Sequence, residues 1–132
     1  MPVNLQETDE MEKILVVDDE IEVCDALKDF LTSKKYEVET AQDGPTALKK
    51  VGSFKPHIVL LDIIMPGMGG IDVLSRIRNI DSKIGIVMTT AVADEEVARR
   101  TMQMGAYDYI VKPIDLNYLE TVLMVKMVEI TE

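Results

Sequence analysis

Hydrophobic positions along the chain follow two alternating patterns. Short runs are apolar at almost every residue: KILVV (13–17), HIVLL (57–61) and GIVM (85–88). Between them lie longer segments in which apolar residues return every three or four positions. The first pattern marks a strand buried on both faces, the second a helix with one buried stripe. Residues 20–34 show the helical spacing at Ile21, Val23, Cys24, Leu27, Phe30 and Leu31. Residues 43–53 open with a turn and Pro45, a good first residue of a helix. Helices are also predicted over 70–80, over 94–105 between an Asp94 cap and Gly105, and over 115–131 with Asp115 as N-cap. Strands are predicted at 13–17, 36–41, 57–62, 84–90 and 107–112, the second alternating as an edge strand does.

Five β-α units in succession predict an α/β domain with a parallel sheet covered by helices on both faces. Right-handed crossovers then give a doubly wound five-stranded sheet, strand order 2-1-3-4-5. Connections are short, and a second domain has no room within 132 residues. Residues 1–12 hold four acids and no base and are read as a flexible acidic leader, with the domain spanning 13–132.

Composition changes this picture only in part. A net charge of −10 disfavours direct binding to nucleic acid. It is explained either by solubility or by attraction of a cation. No apolar run approaches a membrane span, and the N-terminus lacks the form of a secretion signal. A single cysteine, Cys24, excludes an internal disulfide and a cysteine metal cluster. A cytoplasmic location is the simplest expectation.

The polar residues at the strand ends carry the chemistry. Strand 1 ends at Asp18-Asp19, strand 3 at Asp62, strand 4 at Thr89-Thr90 and strand 5 at Lys112. In an open parallel sheet these ends share one edge, and ligands bind where the strand order reverses. The reversal falls between strands 1 and 3, which carry the three aspartates. Packed carboxylates repel unless one is protonated or a cation neutralises them. Oxygen ligands without nearby His or Cys favour Mg²⁺. A hydroxyl at Thr90 and an ammonium at Lys112 suit a multiply charged anion such as a phosphoryl group. Asp62 is then placed as its nucleophile.

The stretches VVDDE, LLDIIMPGMGG, TTA and GAYDYIVKP, in this order and at these intervals, resemble the receiver domain of two-component response regulators, the CheY-like superfamily. The likeness runs from about Lys13 to the end and implies the flavodoxin-like (βα)5 fold. It implies that Asp62 is the phosphoacceptor. It implies that Mg²⁺ is held by Asp19, Asp62 and the backbone carbonyl of Ile64, with Asp18 acting largely through water. Thr90, the Ala91 amide and Lys112 match phosphate-binding positions. Thr90 and Tyr109 match the switch pair, and Lys112–Pro113 a bond usually cis. Ile64 and Val92 match the positions that tune dephosphorylation, and neither side chain orients water, so slow loss of phosphate is expected. Gly69 stands where an acid is common.

The implied partner is a sensor histidine kinase or phosphotransfer protein. A homodimer or effector contact is expected through helix 4, strand 5 and helix 5, with no membrane involvement. The domain is then a phosphoacceptor rather than an enzyme. A Mg²⁺-dependent phosphatase with an aspartyl-phosphate intermediate is the alternative. It is disfavoured because such enzymes take their nucleophile from a D-x-D pattern on strand 1. An FMN-binding flavodoxin lacks its Ser/Thr-rich loop here. Cys24 and His57 read as structural, and Met88, Met102 and Met104 as packing residues. Leu116, Leu119, Leu123, Met127 and Ile130 are expected to form the buried face of the last helix. Tyr118, Val122, Met124, Val125 and Val128 then form an apolar outer surface.

Overall fold

A computed structural model of the chain describes residues 11–132, so the expected leader lies almost wholly outside the described residues. Five strands, β1 (Lys13–Val17), β2 (Glu37–Ala41), β3 (Ile58–Asp62), β4 (Gly85–Thr90) and β5 (Asp108–Val111), alternate with five helices. The helices are α1 (Ile21–Ser33), α2 (Gly44–Phe54), α3 (Gly70–Ile80), α4 (Glu95–Gln103) and α5 (Leu116–Thr131). All strand pairs are parallel, in the order β2-β1-β3-β4-β5. This is the doubly wound, flavodoxin-like arrangement read from the pattern.

Successive strand residues point to opposite faces and build two cores. Leu15, Val17, Val59, Leu61, Ile86 and Met88 face α2 and α3, meeting Ala47, Val51, Val73, Leu74 and Ile77. Ile14, Val16, Ile58, Leu60 and Val87 face α1 and α5, meeting Cys24, Leu27, Leu31, Leu119 and Leu123. Truncating a residue such as Leu60 to alanine removes ~2–5 kcal/mol of stability. Because β3 is covered on both sides, its five residues are all buried, and its polar end can serve only the sheet edge.

Two packing assignments are corrected. On α5 the buried stripe is Leu119, Val122, Leu123 and Met127, while Leu116 is exposed. Leu116 opens the helix, before the first turn reaches the sheet, and Val122 lies one turn on from Leu119. Met88 and Met104 do pack in or on the core, but Met102 is exposed, on a helix whose one buried residue is Thr101.

The end of α2 has its residues in places that helix chemistry disfavours. Gly52 sits inside the helix, and a Cβ there would meet nothing within 4 Å. A glycine at such a site costs ~0.5–1 kcal/mol relative to alanine. Three residues on, the left-handed C-cap position (φ 55°), where glycine is the usual choice, is Lys55.

Candidate functional site

The acidic edge is assembled by register. β1 and β3 are neighbours, and both end at the same height, so Asp18, Asp19 and Asp62 converge. One carboxylate oxygen from each lies within 4.8 Å of the other two. Asp18 and Asp62 are 2% and 3% exposed, and Asp19 faces solvent.

Each buried acid is oriented differently. Asp18 Oδ1 accepts from the Glu20 amide (2.9 Å), and its Oδ2 accepts from Lys112 Nζ (2.6 Å). The Asp18 carbonyl accepts from Cys24 Sγ (3.3 Å), so the cysteine on the buried stripe of α1 also steadies the acid-bearing turn. Asp62 has weaker support: the Ile64 amide donates to its Oδ1 at 3.4 Å, and Lys112 Nζ lies 3.6 Å from its Oδ2. Burial, and secondarily the charge of Asp18, push the Asp62 carboxyl up to about 6, against the pull of Lys112. Burial alone would depress the Lys112 ammonium, but hydrogen bonding and charge from Asp18, with Asp62 beyond, raise it on balance.

The loop after Asp62 is held by a glycine that the sequence pattern did not single out. The Gly70 amide donates to the Ile63 carbonyl (2.8 Å) as α3 begins. A Cβ on Gly70 would lie 2.1 Å from the Asp62 carbonyl oxygen and 2.7 Å from Ile63 Cα. Only glycine lets α3 start this close to β3. Its trace in the sequence is the Gly69-Gly70 pair just before a helix, and of the two only Gly70 is sterically required. Gly69 makes ordinary contact at 3.5 Å.

Thr90, at the end of β4, is 1% exposed, and its Oγ1 accepts from the Val92 amide (3.2 Å). The Val92 carbonyl accepts from Tyr109 Oη (3.1 Å). Thr90 and Tyr109 are therefore joined through the backbone of a single residue, a link invisible in the side-chain pattern. Ala91 lies on the exposed loop after Thr90. Ile64 and Val92 are 58% and 53% exposed at the mouth of the site. Lys112–Pro113 is a cis peptide. Beside Lys112, a groove of about 410 Å³ runs between α1 and the β5–α5 loop, with Val23, Leu27, Pro113 and Ile114 among its walls.

A charged cluster at the switch point of a doubly wound sheet, with the lysine and hydroxyl to hold an anion there, defines a phosphoacceptor switch domain. The family description "Response regulator receiver domain" matches residues 14–124, and the chain belongs to that family. It is 39% identical over 106 residues to the chemotaxis protein CheY of Treponema pallidum (strain Nichols), covering 78% of this chain and 74% of that protein. It is 36% identical over 111 residues to the regulatory protein AtoC of Escherichia coli (strain K12), covering 84% of this chain but only 24% of AtoC. A solved CheX–CheY–BeF3–Mg²⁺ complex from Borrelia burgdorferi superposes with a TM-score of 0.83 at 33% identity, covering 91% of this chain and 92% of that one. The chain is thus a receiver domain, the phosphoacceptor switch of two-component phosphorelay signalling, and nothing favours the phosphatase alternative. Among the described residues, no helix is long and apolar enough to cross a membrane.

Proposed function

We propose that Asp62 is the phosphoacceptor and that a phosphohistidine on a sensor kinase or phosphotransfer protein is the donor. The observation that carries this is the convergence of Asp18, Asp19 and Asp62 within 4.8 Å, with Lys112 reaching two of them. In the transfer, an Asp62 oxygen forms the new O–P bond as the histidine N–P bond breaks, and the departing imidazole nitrogen takes up a proton. The loose transition state needs placement and charge neutralisation more than covalent assistance. Lys112 meets one phosphoryl oxygen, and the Thr90 hydroxyl and Ala91 amide meet others.

The donor set fits Mg²⁺. It is all oxygen, three carboxylates converge with Lys112 as the one cation paired to them among the described residues, and burial first and the Asp18 charge second leave the Asp62 carboxyl raised. Asp19, Asp62 and the Ile64 carbonyl would hold the ion directly and Asp18 through water. When bound, Mg²⁺ supplies the positive charge that lets Asp62 remain an ionised nucleophile and that neutralises phosphoryl oxygens.

A phosphoryl oxygen on Asp62 accepts from the Thr90 hydroxyl and draws it away from the Val92 amide, which donates to Thr90 Oγ1. Drawing Thr90 inward loosens the Thr90–Val92–Tyr109 chain and shifts Tyr109, which reshapes the face made by α4, β5 and α5. That face would receive a second copy or an effector. The chain itself binds neither nucleic acid nor membrane in this scheme. It works in the cytoplasm, where a lone thiol such as Cys24 stays reduced.

The test is incubation with acetyl phosphate and Mg²⁺, read by intact mass. One added phosphoryl group is expected, absent in Asp62→Asn and absent with EDTA. Labelling that persists in Asp62→Asn refutes the assignment.

A further inference from the structure

At the opposite edge of the sheet from the acidic cluster, a groove of about 420 Å³ opens between the ends of α2, α3 and α5. Its aliphatic lining comes from Val51, Ile80, Ile84 and Ile130. Its polar lining includes Lys55, Lys83 and His57. Neither lysine forms an ion pair among the described residues, although the chain carries a net charge of −10. His57 Nδ1 accepts from the Lys13 amide (2.9 Å), so the ring proton resides on Nε2. The one acid in the lining, Asp81, has an oxygen engaged by the Lys83 amide (2.8 Å).

Two departures from helix chemistry meet at this groove. Gly52 lines it from inside α2, at an exposed position where a Cβ would meet nothing within 4 Å. Lys55 holds the left-handed cap position that favours glycine and thereby keeps an ammonium in the lining. Exchanging these two residue types would improve the helix and remove Lys55 from the lining. Packing within the fold explains neither choice, and the Lys55 choice adds a cation to a groove with an aliphatic floor.

We infer that this groove is a ligand site for a small aliphatic carboxylate, whose chain lies on Val51, Ile80, Ile84 and Ile130 and whose carboxylate meets Lys55, Lys83 and His57 Nε2–H. The volume falls in the range of small-molecule sites, and a few donors above an apolar floor is their usual composition. The site is remote from Asp62 and does not depend on the phosphoacceptor assignment.

Decanoate is the probe, titrated into the full 132-residue chain and followed by ¹⁵N–¹H spectra and calorimetry. Saturable binding is expected below about 1 mM, with shifts at the amides of Gly52, Lys55 and Lys83, and about tenfold weaker binding of decanol. Gly52→Leu adds bulk at a lining position and is expected to weaken binding about tenfold. Lys55→Gly weakens binding while holding or raising the melting temperature, which separates ligand contact from fold damage. Absence of saturation, equal binding of decanol, or unchanged decanoate binding in Gly52→Leu overturns the inference.

Discussion

Lys112 places its ammonium 2.6 Å from Asp18 Oδ2, joining residues 94 positions apart. Asp62 is a full ångström farther from the same nitrogen, at 3.6 Å. The lysine is therefore held by Asp18 in the unphosphorylated form and stands ready beside the acceptor rather than masking it.

Replacing Lys112 with glutamine should act on both acids. Asp18 is left buried without its cation, which costs ~2–3 kcal/mol in urea denaturation. Asp62 loses the charge that opposes burial and Asp18, so its carboxyl moves above about 6 in the metal-free protein, read by NMR titration of that carboxyl. Mg²⁺ should stabilise this variant more than the parent, since the ion replaces part of the missing charge. A carboxyl titration that the substitution leaves unmoved would show that Lys112 is not the neighbour that matters to Asp62.

Asp62→Asn should be more stable than the parent at neutral pH. The folded-state carboxyl is raised above its ordinary value of 3.8 to about 6. The folded chain therefore binds the proton more tightly than the unfolded chain, and its stability falls as pH rises from about 4 to about 6. Above that window the ionised Asp62 carries its full penalty, and asparagine relieves it by ~1–3 kcal/mol. Below about pH 4 the two proteins should converge. Denaturation curves at pH 8 and pH 4 check this, and a gain of equal size at both pH values contradicts it.

The strand ends were legible because a parallel sheet forces every C-terminal end to one edge. Asp18, Asp19, Asp62, Thr90 and Lys112 could be grouped from their places after apolar runs alone. Which acid Lys112 prefers was not legible, since that depends on distances of a single ångström between side chains on separate strands. The Thr90–Val92–Tyr109 chain was hidden because its middle member contributes only backbone atoms. On α5, Val122 and Leu116 were misplaced because apolar residues surround the helix, and a stripe without a polar counterpart has no phase to read.

Gly70 and Gly69 offer a paired test of the loop after Asp62. Gly70→Ala puts a methyl group into the Asp62 carbonyl, so α3 must retreat from β3. A loss of ~2–4 kcal/mol is expected, with weaker Mg²⁺ binding because the same loop carries the Ile64 carbonyl. Gly69→Ala meets only the Ile63 carbonyl at 3.5 Å with ordinary backbone angles, and should change stability by less than ~1 kcal/mol. Mg²⁺ affinity measured alongside thermal unfolding separates a displaced loop from general weakening. Equal behaviour of the two alanine variants would remove Gly70's special place.

Ile64 and Val92 flank the mouth of the site with apolar side chains that neither donate nor accept hydrogen bonds. Water attacking a phosphoryl group on Asp62 would find no side chain at either position to orient it. The phosphorylated chain should decay over minutes or longer, and Ile64→Asn with Val92→Glu should accelerate loss of the group about tenfold. The measurement is the fall of the phosphorylated mass after acetyl phosphate is removed. Decay of the parent within seconds would show that another group positions the water.

The outer surface of α5 predicts how the switched state is read. Tyr118, Met124, Val125 and Val128 of α5 are exposed, as are Val111 of β5 and Met102 of α4. Exposed apolar area of this kind marks a place where two copies can meet. With beryllofluoride and Mg²⁺ in place of the phosphoryl group, light scattering should report a dimer. Val125→Lys with Val128→Lys should keep the chain monomeric while acetyl phosphate labelling of Asp62 proceeds at the parent rate, since neither residue touches the acidic edge. These valines are already solvated, so the double variant should fold with stability within ~1 kcal/mol of the parent. A parent that stays monomeric with the mimic bound would leave α5 as a surface for an effector of different sequence, and would rule out the second copy as its occupant.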